Sequence, residues 1–195
     1  MIPRMDRRPV MAAFSLLAAC TSSPPVHFYT LDPVDASHPA ADTSHGQIKV
    51  GAVHLPPALD RKQMVAQTAA NTLTISDQNR WGAPLDAMLR RVLTQDLMQR
   101  LPQGQVILPE SVAPGGTRVV ELDVLRFQPE PGGSVVLDGS WSLSAADSDQ
   151  PGSSHPFVLR EPALQNDYAA QAQAMSKLVG RLADAIAAAL ASSTG

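Results

Sequence analysis

Residues 84–101 read PLDAMLRRVLTQDLMQRL, and the spacing of their apolar side chains decides how the rest of the chain is read. Leu85, Met88, Leu89, Val92, Leu93 and Leu101 fall on one face of a helix, while Asp86, Arg90, Arg91 and Gln95 fall away from it. Pro84 stands at a first-turn position, where its missing N–H removes no intrahelical bond. Pro102 and Gly104 stop the element. A helix with one apolar stripe needs a partner surface, and the flanking sequence supplies strands for it.

Upstream, Ile48 to Leu55 (IKVGAVHL) is rich in β-branched residues and ends at Pro56-Pro57. Leu59 to Arg61 reads as a turn. Gln63 to Thr68 and Leu73 to Ser76 predict a hairpin around residues 69–72, with Leu73 and Ile75 alternating against Thr74 and Ser76. Downstream, Val120, Leu122 and Val124 alternate with Glu121 and Asp123, so one face is buried and the other wet. Pro131-Gly132-Gly133 turns the chain into a return strand with Val135, Leu137, Trp141 and Leu143 inward. Gly139 between them marks a bulge or a close approach of backbone. A polar loop over 146–154 precedes a last strand, Phe157 to Arg160. Tyr168 to Ala191 is a long alanine-rich helix with Met175, Leu178, Val179, Leu182, Ile186 and Leu190 along one side. Together these elements predict an α+β fold in residues 47–195: an antiparallel β-sheet with two amphipathic helices packed on one face, around a single core.

Composition agrees with an ordinary globular domain, at 44% hydrophobic and 17% charged residues. A net charge of -3 without a basic cluster argues against a nucleic-acid partner. The chain has one cysteine, so no intrachain disulfide stabilises it and the core must.

That cysteine lies near the start of the chain. Arg4, Arg7 and Arg8 form a basic region, Val10 to Ala19 an uncharged apolar run, and small residues lead to Cys20. Ten residues of helix span roughly 15 Å, about half the hydrocarbon core, so the run is an export signal rather than a spanning helix. Arg7-Arg8 fits plain n-region charge better than a twin-arginine signal. Leu17-Ala18-Ala19-Cys20 resembles the lipobox of bacterial lipoproteins. The resemblance implies a signal peptide over residues 1–19, cleavage before Cys20, a diacylglycerol on its thiol and an acyl chain on its new amino group. Residues 20–46, rich in Ser, Pro, Ala, Asp and His, read as a flexible periplasmic tether with a random-coil reach of about 25–30 Å. One island interrupts it, His27-Phe28-Tyr29-Thr30-Leu31, whose density of apolar side chains predicts a short edge strand or clip packed on the domain. Thr21 after the cysteine, rather than Asp, points to the outer membrane's periplasmic face over the inner membrane.

Catalytic patterns are thin. His27, His38 and His45 sit in the tether, His54 at a strand end and His155 in a loop, without the spacing or neighbours of a metal site. No glycine-rich phosphate loop or G-x-S-x-G elbow occurs, and the serines, mostly in loops, lack a His placed to serve as base. A non-enzymatic role without cofactors, beyond the lipid on Cys20, is expected. Two short groups stand out. In Leu59-Asp60-Arg61, Asp60 is expected to cap the next segment and Arg61 to pair locally, with a functional surface turn as the alternative. Trp81 is expected to bury its ring at the helix start, with Arg80 stacking or pairing beside it.

Tyr29-Thr30-Leu31 after a lipobox, Leu59-Asp60-Arg61-x-Gln63, Asn71-x-Leu73 and Arg80-Trp81-x-x-Pro84-Leu85 resemble the PqiC (YmbA-like) lipoproteins, auxiliary components of ABC-type and MCE transport systems. The likeness is most specific between Leu59 and Leu85 and loose after Arg118. Ala58 departs from the family pattern, which often has an aromatic there. The resemblance implies an outer-membrane-anchored, non-catalytic subunit that works with a periplasmic MCE-domain protein and an inner-membrane transporter in lipid movement and envelope integrity, assembled as a homo-oligomeric ring. Leu59, Asp60, Arg61 and Gln63 are then the expected partner-binding turn, and Tyr29, Leu31, Arg80, Trp81 and Pro84 its structural frame. A lipid- or ligand-binding lipoprotein, or a structural or assembly lipoprotein of the outer membrane, shares the same anchor and domain type.

Overall fold

A computed structural model describes residues 24–36, 46–146, 152–164 and 166–192. The signal peptide over 1–19 and Cys20 lie outside the described residues. In chain order the elements are β1 (His27–Tyr29), β2 (Ile48–His54), β3 (Gln63–Ala69), β4 (Thr72–Trp81), α1 (Leu85–Arg100), β5 (Val106–Ile107), β6 (Arg118–Glu130), β7 (Ser134–Ala145), β8 (Ser153–Pro162) and α2 (Tyr168–Ser192).

The α+β class holds, with two departures in the sheet. The strands form two sheets, a five-stranded one in the order β5-β2-β6-β7-β8 and a three-stranded one in the order β1-β4-β3. Both are mixed rather than purely antiparallel. β2 runs parallel to β5 and to β6, and β1 parallel to β4, while β6-β7-β8 is an antiparallel meander and β3-β4 a hairpin. The cause is the connection. Between β2 and β6 the chain passes through the hairpin and α1, and a strand reached through a helical crossover returns in the same direction. A periodicity reading gives which residues face inward but not which way a strand runs.

Both helices cover the inward face of the five-stranded sheet, α1 over β2 and α2 over β6, β7 and β8, and they pack on each other. The predicted helix face is buried in full: Leu85, Met88, Leu89, Val92, Leu93 and Leu101, joined by Leu97. Pro84 is the residue before the first helical turn rather than in it, extended at ψ 134°, and the chain leaves α1 at an extended Leu101. In β6 the register with β7 shifts between Val124 and Arg126. The bulge therefore lies in β6, and Gly139 is its counterpart in β7. A Cβ at Gly139 would overlap the Asp123 carbonyl oxygen and sit 3.1 Å from Val124 Cα. Only glycine admits that approach.

The folded unit starts before residue 47. Tyr29 is half-buried, Leu31 is a core residue at 0% exposure, and residues 32–36 continue across the helices.

Candidate functional site

Three stretches that are distant in sequence meet at one end of the small sheet. Phe28 and Tyr29 pair with Arg80 and Trp81, and Gln63 pairs with Arg80 from the other side. The Trp81 N–H donates to the Lys62 carbonyl at 2.7 Å, and the Gly82 N–H to the Tyr29 carbonyl at 2.8 Å. Tyr29 Oη donates to Asn79 Oδ1 at 3.1 Å, and its ring lies 6.3 Å from that of Tyr168 at the start of α2. Trp81 is buried, as expected. Among the described residues Arg80 neither stacks nor forms an ion pair; its Nε donates to the Asp77 carbonyl at 3.3 Å.

The turn before β3 is built by backbone alone. The Leu59 N–H and the Asp60 N–H both reach the Pro56 carbonyl, at 2.9 and 3.3 Å, and the Arg61 N–H reaches the Leu59 carbonyl at 2.8 Å. Leu59 drops into the core, where with Gln63, Met64, Trp81 and Phe127 it lines a narrow cleft. Its burial drives Asp60 and Arg61 outward. Both are exposed, and neither side chain makes a hydrogen bond or ion pair among the described residues. The expected cap by Asp60 and local pairing by Arg61 are thus absent among the described residues, where the turn closes through main-chain bonds instead. Two opposite charges without a partner among the described residues stand on a turn held by main-chain bonds.

Past β1, the chain from Thr30 to Ala36 is strapped across both helices. Arg91 donates to the Leu31 carbonyl at 2.7 Å, and the Asp32 N–H to Ser176 Oγ at 3.1 Å. The Val34 N–H donates to Asp96 Oδ1 at 2.8 Å, and Arg100 to the Val34 carbonyl at 3.2 Å. Val34 rests over Gly180, where a Cβ would come to 3.2 Å from its own Cβ. Arg100 also pairs with Asp184, so one buried guanidinium joins α1, α2 and the strap. Asp96 Oδ2 is buried without a hydrogen bond among the described residues. Burial pushes the Asp96 carboxyl up to about 6, with Asp184 adding to the rise, against the Val34 N–H and the Arg100 charge. Sequence reasoning missed this cluster. The i, i+4 spacing of Asp96 and Arg100 was its only trace, and that spacing is also common on wet helix faces.

Two open grooves flank β1. One, of about 830 Å³, lies between residues 28–35 and the first turns of α2; the other, of about 630 Å³, lies between Pro24, Pro25 and His27 and the Asn166–Ala169 turn. They share Tyr29, Asp167 and Ala169. Among the described residues no three His, Cys, Asp or Glu side chains cluster as a metal site. His155 stacks on Trp141 with ring centres 4.1 Å apart.

The elements just described coincide with a known family. The model of the ABC-type transport auxiliary lipoprotein component matches residues 29–187, from β1 into the last turns of α2. The chain belongs to that family. The intermembrane transport lipoproteins PqiC of Escherichia coli (strain K12) and of Shigella flexneri are each 29% identical over 130 residues, covering 66% of this chain and 68% of theirs. Two crystal structures share the fold. One, of an uncharacterized protein, is 22% identical with a TM-score of 0.69 and covers 86% of this chain and 99% of its own. The other, of XCC0632 from Xanthomonas campestris, is 16% identical with the same TM-score, covering 84% and 95%. A transport auxiliary lipoprotein family is not a known catalytic family, which accords with the lack of a catalytic pattern in the sequence. No described helix is long and apolar enough to cross a membrane.

Proposed function

We propose that this chain is the non-catalytic auxiliary subunit of an MCE/ABC-type lipid transport system, held on the periplasmic face of the outer membrane by lipid on Cys20. Three acyl chains give an effectively permanent anchor, since two lipid signals already suffice. Its partners are a periplasmic MCE-domain protein and, through it, an inner-membrane transporter, and copies of the chain assemble as a ring. The observation that carries the reading is the turn Leu59–Gln63. Buried Leu59 and half-buried Gln63 fix a backbone that presents Asp60 and Arg61 without partners among the described residues, inside the region matched to the transport family. Charges so placed supply orientation and partner choice more than affinity.

The test is recovery of the complex. With Asp60→Ala and Arg61→Ala combined, the protein should fold as the parent does and bring down much less of an MCE-domain protein from envelope extracts. Undiminished recovery would remove the turn from the interface. Intact mass of protein isolated from its host tests the anchor, and an uncleaved start or an unmodified thiol would refute it.

A further inference from the structure

The first described residue lies only a few positions from the proposed anchor in sequence. Pro24 is described, lining the smaller groove, and only four peptide steps separate it from Cys20. Four steps span at most about 14 Å however the chain runs. Since β1 and the strap to residue 36 are fastened to the domain, the segment before Pro24 sets the stand-off, and it is far shorter than the leash of 20-odd residues the sequence suggests. The surface around Pro24 is therefore carried against the bilayer.

The groove at Pro24 is lined largely by polar residues, but exposed apolar side chains stand on the neighbouring chain. Alternation along the extended chain sets Val26 and Phe28 apart from His27 and Tyr29, and they are 40% and 65% exposed. Leu164, 72% exposed, lies in the turn before α2, whose Asp167 lines both grooves. Charges nearby are mixed, with Arg80 beside Phe28 and Lys177 on the larger groove set against Asp32, Asp35 and Asp167. No net positive field is present to select anionic lipid. A phenyl ring flanked by aliphatic side chains suits the headgroup–acyl boundary.

We propose that Val26, Phe28 and Leu164 form a membrane-contacting edge that dips into the interface of the bilayer holding Cys20, fixing the tilt of the domain through apolar insertion rather than through charge. This rests on the anchored reading above, but its test is separable from that reading. The full chain carries Phe28→Trp and is reconstituted into phosphatidylcholine vesicles containing a brominated phosphatidylcholine quencher. Intact mass reports whether Cys20 arrived acylated. If its thiol is free, a maleimide phospholipid attaches there uniquely, because it is the sole cysteine. Trp81 and Trp141 are buried and give a constant background.

The emission added by Phe28→Trp should be blue-shifted and mostly lost to the bromolipid. The emission added by Leu125→Trp, at a residue 67% exposed on the outward face of β6, should be unaffected. A free thiol would refute the native anchor while leaving the quenching measurable. Unquenched Phe28→Trp in anchored protein, or equal quenching at both positions, would overturn the contact. A blue shift that appears without lipid and grows with protein concentration would assign the edge to a second copy of the chain and overturn it as well.

Discussion

The Val34 N–H donates to Asp96 Oδ1 at 2.8 Å, which sets a carboxylate fully withdrawn from solvent beneath the segment that leads away from β1. Its titration near 6 against an ordinary 3.8 gives the fold a definite pH dependence. Between those values the native state holds a proton that the unfolded chain has released. The site's stabilisation is therefore complete below the ordinary value and is lost as pH rises through about 6, a change on the order of 2–3 kcal/mol. Glu130 acts in the opposite sense at lower pH. Burial raises its carboxyl, but bonds from Arg160 and Ser134 and the charges of Arg160 and Arg126 outweigh that and hold it below 4.5. Its stabilisation is present above that value and fades as pH falls further. Denaturant midpoints should accordingly be higher near pH 5 than near pH 7.5, and Asp96→Asn should remove most of the difference. An unchanged slope in Asp96→Asn would show that another group titrates.

Arg100 is the buried hub of the same cluster, bonded to Asp184, to the Val34 carbonyl and to the Asp96 carbonyl. Arg100→Leu should destabilise by about 3–5 kcal/mol, since it strands a buried carboxylate rather than merely deleting a bond. Adding Asp96→Leu should restore part of that loss, because the charge left behind is then gone too. Urea unfolding of both variants distinguishes this from simple overpacking, in which the second substitution would make matters worse.

At Gly139 the obstacle is backbone. Gly139→Ala must displace the Asp123 carbonyl across the β6 bulge, and no side chain can swing aside to absorb it. Overpacking of this kind typically costs about 1–3 kcal/mol, occasionally more. Thermal unfolding of Gly139→Ala against Gly104→Ala, where nothing lies within 4 Å of a Cβ but φ is +82°, separates the two causes. Gly139→Ala should lose more stability. A smaller loss would mean that the bulge relaxes.

Much of this was readable from residues. The apolar faces of α1 and α2 and the inward rows of β6 and β7 follow from periodicity, because one face of each packs on the core, whereas the burial of Val136 in β7 and of Asp96 and Arg100 in α1 does not. Gly139 was marked by its place between Leu137 and Trp141. Strand direction was not readable, since Ile48 and Val50 point inward whichever neighbour they pair with. β5, two residues long, is too short to show a period. The convergence of the Leu59 turn with Arg80 and Tyr29 required the sheet order, although each stretch had been singled out in turn. The strap cluster stayed hidden because a charged i, i+4 pair is buried only by chain arriving from residues 31–36.

Leu31 tests that arrival directly. It lies sixteen positions before the expected domain start, yet it is wholly enclosed in the main core and its carbonyl is held by Arg91. If residues 30–36 were part of a loose tether, Leu31→Ala would change nothing. As a core residue it should lose about 2–5 kcal/mol, from the removed apolar burial and the cavity left behind. Phe28→Ala, three residues earlier and largely exposed, should by contrast leave the unfolding midpoint nearly unmoved. Equal midpoints for parent and Leu31→Ala would show that residues 30–36 are not fastened to the core.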